Sequence, residues 1–245
     1  MSKVKLASAS IDENGKASGG KAGDQTGREV KTQDYYLHSK GWRVFRPLSI
    51  DVANKIAYDA EAAAKNNKIG YDQGQRNTLY TYAKKVGFDC AKVTTACECD
   101  CSALVRVCLA YAGINVPASF RTVNEPKYLL NTGAFKELKG DKYTKKGDYL
   151  RKGDILVTPT QGHTVIVITD GKNAYEVDAD LGYVLVMSKS VYVRTAPNTT
   201  GKIIGVVYKG DKLKYQGMTD TETGWRLIEY KNQNGWITPK YTQLI

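Results

Sequence analysis

No stretch of this 245-residue chain approaches the eighteen or so consecutive apolar residues that a membrane span requires, which argues against a bilayer-crossing helix. Its opening, MSKVKLASASIDENGK, lacks the continuous apolar core of a signal peptide. The expectation is a protein made and left in a cytoplasm, with any export achieved by another route. Histidine is scarce, His38 and His163 being the two in the chain. No C-x-x-C is present, which removes a thioredoxin-like role. Cys97, Cys99 and Cys101 alternate, but no second cysteine pair completes a tetrahedral set, so a structural zinc site is disfavoured. Five cysteines leave at least one thiol free and argue against a closed disulfide framework.

What is present describes a globular protein: 42% hydrophobic and 25% charged residues exclude a disordered chain and allow a large core. The formal charge is +11, and its lysines and arginines are scattered along the whole length. The sign suits a polyanionic partner, whether DNA, RNA or an anionic bacterial wall polymer. A soluble basic protein explains it equally well. Dispersed basic residues without a groove-reading motif argue against nucleic acid.

Residues 10–34, rich in Gly, Lys, Asp and Ser, read as loop. After Pro47 the period becomes helical, with Val52, Ala53, Ile56, Ala57, Ala60 and Ala64 spaced three and four apart. A second helix is predicted within residues 75–86, closed by Gly87. A third starts at Cys101, where Leu104, Val105, Cys108, Leu109 and Ala112 form one apolar stripe that Gly113 stops. A short fourth covers Glu125 to Leu130. From Ala134 the period is two, and GDILVTPT, HTVIVITD, NAYEVDAD and YVLVMSKS read as successive strands with DGKN a tight turn. The order predicts helices first and an antiparallel sheet after them, an α+β layout with the start of the third helix resting on the sheet. From about Met187, short strands at regular spacing predict a small all-β barrel. Trp225 and Trp236 read as its core; Tyr192, Tyr215 and Tyr241 read as surface.

Asp100 stands where an N-cap belongs, which places Cys101 in the first turn of the third helix. Unpaired N–H groups and the helix dipole favour a thiolate there, and the same groups can hold an oxyanion. A cysteine nucleophile needs a base, and His163, opening a strand after a Gly, is better placed for that than His38. Glu176 and Asp178 share one face of the next strand and are candidates to orient His163; an exposed acidic face is the alternative. Cys108 reads as packing, and Cys90, Cys97 and Cys99 as free thiols, with a Cys90–Cys97 contact open.

DCSALVRVCLAYAG, followed by RKGDILVTPTQGHTVIVITDGKNAYEVD, resembles the NlpC-type and CHAP-type cysteine peptidase and amidase superfamily over about residues 70–185. The resemblance implies a papain-like catalytic domain at 1–185, with Cys101 as nucleophile and His163 as general base. It also implies substrate contacts from Tyr71 and Asp72, while Gln25, in GDQTG, is a candidate cleft residue against a plain-loop reading. The N-terminal GGKAGDQTG and IGYDQGQRNTLY resemble a group of bacteriophage wall-lytic enzymes. VYVRTAPNTTGKIIGVVYKGDKLK and GWRLIEYKNQNGWITPKYTQLI resemble the bacterial SH3-like family and imply a wall-binding domain at 186–245. Together these imply a phage-type hydrolase of peptidoglycan that cuts a wall-peptide amide, as an endopeptidase or an amidase. Peptidoglycan and anionic wall polymers are the implied partners, with no membrane, metal or organic cofactor. Such an enzyme would accumulate in the host cytoplasm and reach the wall after membrane breach. The rival reading is a wall-binding protein with an inactive cysteine site.

Overall fold

The computed structural model describes residues 4–174, 182–220 and 222–245. Two compact units emerge, one running through Pro47 and then Asp51–Ala174, the other comprising the C-terminal residues with Leu48–Ile50.

The first unit is built on strands β1 (Lys5–Ala9), β2 (Val30–Asp34), β3 (Arg43–Pro47), β6 (Phe135–Leu138), β7 (Ile155–Val157) and β8 (Thr164–Val167). They form one antiparallel sheet in the order β2-β1-β8-β7-β3-β6. Between them run α1 (Ile50–Lys65), α2 (Thr78–Lys84), α3 (Cys101–Tyr111), α4 (Glu125–Asn131) and α5 (Asp141–Thr144), with a short parallel pair β4 (Ile69–Tyr71) and β5 (Cys97–Cys99). The α+β class agrees with the sequence, but the order of elements does not: three strands precede α1, and Val30–Asp34 is strand where loop was expected. KLASA and RVFRP are five-residue segments buried on both faces, so they show no polar alternation to reveal a strand.

Alternation governs how the sheet divides the core. Ala7, Ala9, Phe45, Ile155, Val157 and Ile166 face the cluster shared with α1 and α3. Leu6, Val44, Leu156, Val165 and Val167 face the other way, onto Trp42, Leu138, Tyr143 and Leu150. Thr164 therefore points to the helical side and His163, one residue earlier, to the side that holds Trp42.

The Gly153-Asp154 pair that opens β7 has a mechanical reason. Gly153 (φ 87°) packs so closely on α1 that an added Cβ would lie 2.5 Å from the Ala53 Cα. Asp154 takes a bidentate pair of bonds from Arg46 of β3, Nε to Oδ1 at 2.9 Å and Nη2 to Oδ2 at 2.7 Å, with both side chains buried. The two residues fix the middle of the sheet against the helix.

The second unit is all β. Its strands are β9 (Tyr183–Val186), β10 (Ser190–Arg194), β11 (Ile203–Tyr208), β12 (Lys212–Thr219), β13 (Arg226–Tyr230), β14 (Gln233–Ile237) and β15 (Thr242–Leu244), in the order β11-β10-β14-β13-β12-β9-β15. Lys231 and Asn232, both with positive φ, make the two-residue turn that joins β13 to β14 in register. Tyr183–Val186, expected beside the strands of the first sheet, pairs with β12 and β15 instead. Its Val184 and Val186 complete a core with Val191, Val193, Val207 and Ile228, partners that the first sheet does not offer. Trp225 and Trp236 are buried as expected, whereas Tyr215 departs from its surface reading: it is buried and its hydroxyl meets Thr219 Oγ1 at 2.6 Å. Most of NAYEVDAD, from Tyr175 to Asp180, lies outside the described residues.

One buried acid makes stability depend on pH. Asp59 of α1 is 0% exposed and accepts from Cys90 N at 2.7 Å and Cys90 Sγ at 3.3 Å. Burial pushes its carboxyl up to about 7, against the opposing hydrogen bonds from Cys90 and Cys108. The folded state holds a proton that the unfolded chain releases near pH 4, so this contribution is complete below about pH 4 and lost as pH rises toward 7. Asp59→Asn should flatten the fall in melting temperature between pH 5 and pH 8. An unchanged or steeper fall in that variant would contradict the assignment.

Candidate active site

α3 begins at Cys101 because its first turn is capped from two directions. Asp100 has extended backbone, and its Oδ1 accepts from Ala103 N at 2.7 Å and Ser102 Oγ at 3.0 Å. Arg76, itself buried, clamps the same carboxylate through Nε and Nη2. It also donates to Ser102 Oγ at 2.9 Å, Phe120 O at 2.8 Å and Ala118 O at 3.1 Å. One guanidinium thus ties the loop before α2, the cap of α3 and the segment before α4.

The opposite wall is the start of β8. Thr158 holds the backbone of His163 on both sides: its Oγ1 accepts from His163 N at 3.0 Å, and its N–H donates to His163 O at 3.0 Å. The loop between them is pinned by Lys40 Nζ on Gln161 O at 2.7 Å. Cys101 Sγ lies against the backbone N–H of Thr164, so the sulfur sits beside the residue that follows His163. Cys101 and His163 are brought to one place from 62 positions apart in the chain.

Cys101 is 8% exposed. Burial first, then the Asp100 and Glu125 carboxyls, push its thiol up to about 12; the Thr164 and Ser102 N–H groups pull the other way without prevailing. The sequence led us to expect a thiolate favoured by the helix start. Burial beside two carboxyls overrides that dipole, and the resting group is a neutral thiol. His163 is half-buried, and burial, with His38 and Lys31, lowers its imidazole to about 4. The two side chains are thus both uncharged at rest, on adjoining elements of the site.

The surroundings contain His38, the imidazole passed over as base, together with groups that the sequence did not single out. His38 and Trp42 lie with ring centroids 6.4 and 6.5 Å from that of His163, and Tyr36 meets Trp42 edge-on at 5.7 Å. Trp42 Nε1 donates to Tyr36 O at 2.9 Å, which fixes this aromatic wall. Burial first, and then the Cys101 thiolate once it forms, raise the Tyr36 phenol. Glu125, in the first turn of α4, is fully buried; its Oε1 accepts from Thr164 Oγ1 at 2.8 Å and its Oε2 has no partner. Burial pushes this carboxyl up to about 8. It touches Thr164, whose backbone touches the sulfur, a link across three elements that no local pattern carries.

Tyr71 is buried at the end of β4 within electrostatic reach of Cys101, and its hydroxyl accepts from Gln73 Nε2 at 3.0 Å. Asp72 is committed to backbone amides: its carboxylate accepts from Gln75 N at 3.0 Å and Gly74 N in its own loop, and from Gly19 N of the N-terminal segment at 2.7 Å. Burial raises Asp72, and these N–H groups outweigh it and hold the carboxyl low. Gln25 is exposed, with Nε2 spent on Ala22 O and Gly23 O. Glu176 and Asp178 lie outside the described residues. Cys97 and Cys99 face Lys68 O and Gly70 O at 3.6 Å, and Cys90 turns to Asp59 rather than to Cys97. All five cysteines are free thiols, and no group of three or more His, Cys, Asp or Glu among the described residues is placed to hold a metal. A cavity of about 510 Å³ beside the C-terminal half of α1 includes neither Cys101 nor His163 in its lining.

The first unit is thus an α+β domain with a capped cysteine at a helix start and a histidine at the adjoining strand, and the second is an all-β module. The chain belongs to the endolysin-like domain family, whose sequence profile matches residues 6–174. A bacterial SH3 domain matches residues 189–243. This is the layout of a cell-wall hydrolase that carries its own wall-binding domain. No curated protein matches the chain, and no solved structure does.

The charge states at the site are testable by alkylation. Labelling of Cys101 by iodoacetamide, mapped by peptide mass spectrometry, should be slow at pH 6–7 and climb steadily toward pH 10, because the thiolate appears only as pH approaches the raised value. Glu125→Gln should speed labelling at pH 9 several-fold, having removed a carboxylate that ionises above about 8. A rate already flat from pH 5 to pH 9 would show a preformed thiolate and contradict the account.

Proposed function

We propose that this chain is a cysteine-dependent peptidoglycan hydrolase of the phage endolysin type that cleaves an amide in the wall peptide. The observation that carries the reading is the capped cysteine at the start of α3 lying against Thr164, next to the half-buried His163. As Cys101 Sγ attacks the amide carbon, His163 takes the thiol proton, and the carbonyl electrons move onto oxygen. Backbone N–H groups at the helix start, including that of Cys101, receive this oxyanion. The imidazolium returns the proton to the leaving amine as the C–N bond breaks and leaves a thioester. His163 then deprotonates a water that attacks the thioester, which releases the carboxylate and restores the thiol.

Tyr71 is the substrate-side candidate beside the sulfur. The side chains of Asp72 and Gln25 are engaged with backbone groups, so their contribution would be to shape the cleft. Glu176 and Asp178 remain the candidates to orient His163. The hydrolase would accumulate in the host cytoplasm and act once the membrane is breached; among the described residues no helix is long and apolar enough to cross one. The +11 charge would help to retain it on an anionic wall.

A second reading, a wall-binding protein with an idle cysteine, is favoured by the burial that keeps Cys101 neutral at rest. Digestion of purified Gram-positive walls separates the two. The parent chain should release fragments and Cys101→Ala none, while both bind the wall equally. Intact stem peptides freed from glycan would identify an amidase, and shortened stems or opened cross-bridges an endopeptidase. Undiminished release by Cys101→Ala would contradict the thiol mechanism, and no release by either protein would leave the binding reading.

A further inference from the structure

The cavity beside the C-terminal half of α1 has no part in the chemistry at Cys101, and neither family match gives it a role. Its volume, about 510 Å³, is that of a small-molecule site. One wall is a stripe of α1 at helical spacing, Tyr58, Glu61, Ala62 and Lys65, on the face opposite the buried Val52, Ile56, Ala60 and Ala63. The other wall is the turn at 66–68, with Ala91 of the short helical turn Cys90–Lys92.

Hydrogen bonds fix these walls. Asn66 Nδ2 donates to Cys90 O at 2.8 Å and Val93 O at 2.9 Å, and its Oδ1 accepts from Lys68 N at 3.0 Å, so the two turns are locked together. Cys97 N donates to Lys68 O at 2.8 Å and ties the same turn to β5. Asn67 and Lys68 are exposed, which puts their side chains at the rim. Tyr58 is 47% exposed, more than any other described aromatic ring of the first unit. Its ring is backed by Tyr111, with 5.7 Å between centroids and 28° between planes. Lys65 Nζ meets Glu61 Oε1 at 2.6 Å, so Lys68 is the one lining cation that no lining acid balances.

A polyanion would find little uncompensated charge in this lining, and an apolar partner would find only Ala62 and Ala91 beside the ring. A chain of amino sugars suits it better: a C–H face for the held Tyr58 ring, and hydroxyls and N-acetyl amides for Asn67, Lys68 and the Glu61–Lys65 pair. Lys68 leads into β4, whose far end carries Tyr71 toward Cys101, so the three residues of that strand, about 10 Å, separate cavity and sulfur. A small ligand in the cavity does not reach the sulfur, whereas a polymer spans both places. We propose that this cavity is a subsite of the first unit that holds the glycan strand of peptidoglycan, an N-acetylated amino-sugar chain, while a stem peptide enters at Cys101. The inference rests on the reading of the chain as a peptidoglycan hydrolase.

The test follows acetylation of lysines by peptide mass mapping in the full chain carrying Cys101→Ala, with and without peptide-free glycan strands. Glycan should slow labelling of Lys68 about fivefold and leave Lys127, exposed on α4 outside the cavity, within about twofold. Adding Tyr58→Ala should abolish the protection, and Tyr58→Phe should keep it. With Cys101 intact, Tyr58→Ala should slow digestion of sacculi about tenfold and leave cleavage of glycan-free wall peptides within about twofold of the parent rate. An unprotected Lys68, equal protection of Lys68 and Lys127, or protection that survives Tyr58→Ala would overturn the site. Protection by a polyphosphate chain but not by glycan would overturn the ligand. Equal slowing on sacculi and on free peptides would make Tyr58 a packing residue and overturn its role. If the parent cut neither substrate, the hydrolase reading would fall, while the protection of Lys68 would still decide the cavity.

Discussion

The buried ion pair between Arg76 and Asp100 holds the candidate site together. Asp100 ends β5's chain direction and starts α3, and its carboxylate must satisfy the orphan N–H groups of the first turn while lying out of water. Alone it would be costly to bury; with Arg76 bonding it bidentately, the charge is neutralised and its lone pairs are used. The guanidinium spends its remaining donors on Ser102, Ala118 and Phe120. Cys101 is consequently fixed by the cap behind it rather than by its own contacts, and its sulfur is presented to β8.

Burial is the main reason that three groups of the site rest uncharged. Cys101 is held neutral by burial and two nearby carboxyls, His163 is held neutral by burial with His38 and Lys31 nearby, and Glu125 is held protonated by burial. A site in which none of these is ionised avoids placing unpaired charge in a dry interior. In the proposed mechanism, the proton would therefore move from sulfur to imidazole only as the attack develops. Glu125 joins this arrangement through Thr164, the residue that hydrogen-bonds to it by side chain and to the sulfur by backbone.

Much of this was legible in the sequence wherever a local pattern recorded it. The apolar stripe of α3 with Asp100 before it and Gly113 after it located the helix and its cysteine, the regular strand and turn spacing located a small all-β unit, and a family resemblance identified that unit as SH3-like. β1 and β3 were not legible, because short segments buried on both faces carry no alternation. Nor was the strand partner of Tyr183–Val186, since pairing is decided by long-range packing that periodicity does not encode. Tyr36, Trp42 and Glu125 reach the site through sheet order and the placement of α4, not through spacing. His38 was visible as the second imidazole, but its place beside His163 depends on a loop fixed by Trp42 and Lys40.

The central claim is that the amide is cleaved through a covalent bond to Cys101. Rapid acid quenching of the protein during turnover on solubilised wall fragments, followed by intact-mass and peptide mapping, tests it most directly. The account predicts an acyl adduct, one wall-peptide mass less the leaving amine, on the peptide that contains Cys101. Product formation with the Cys101 peptide unmodified at every quench time, or an adduct on another residue, would contradict it.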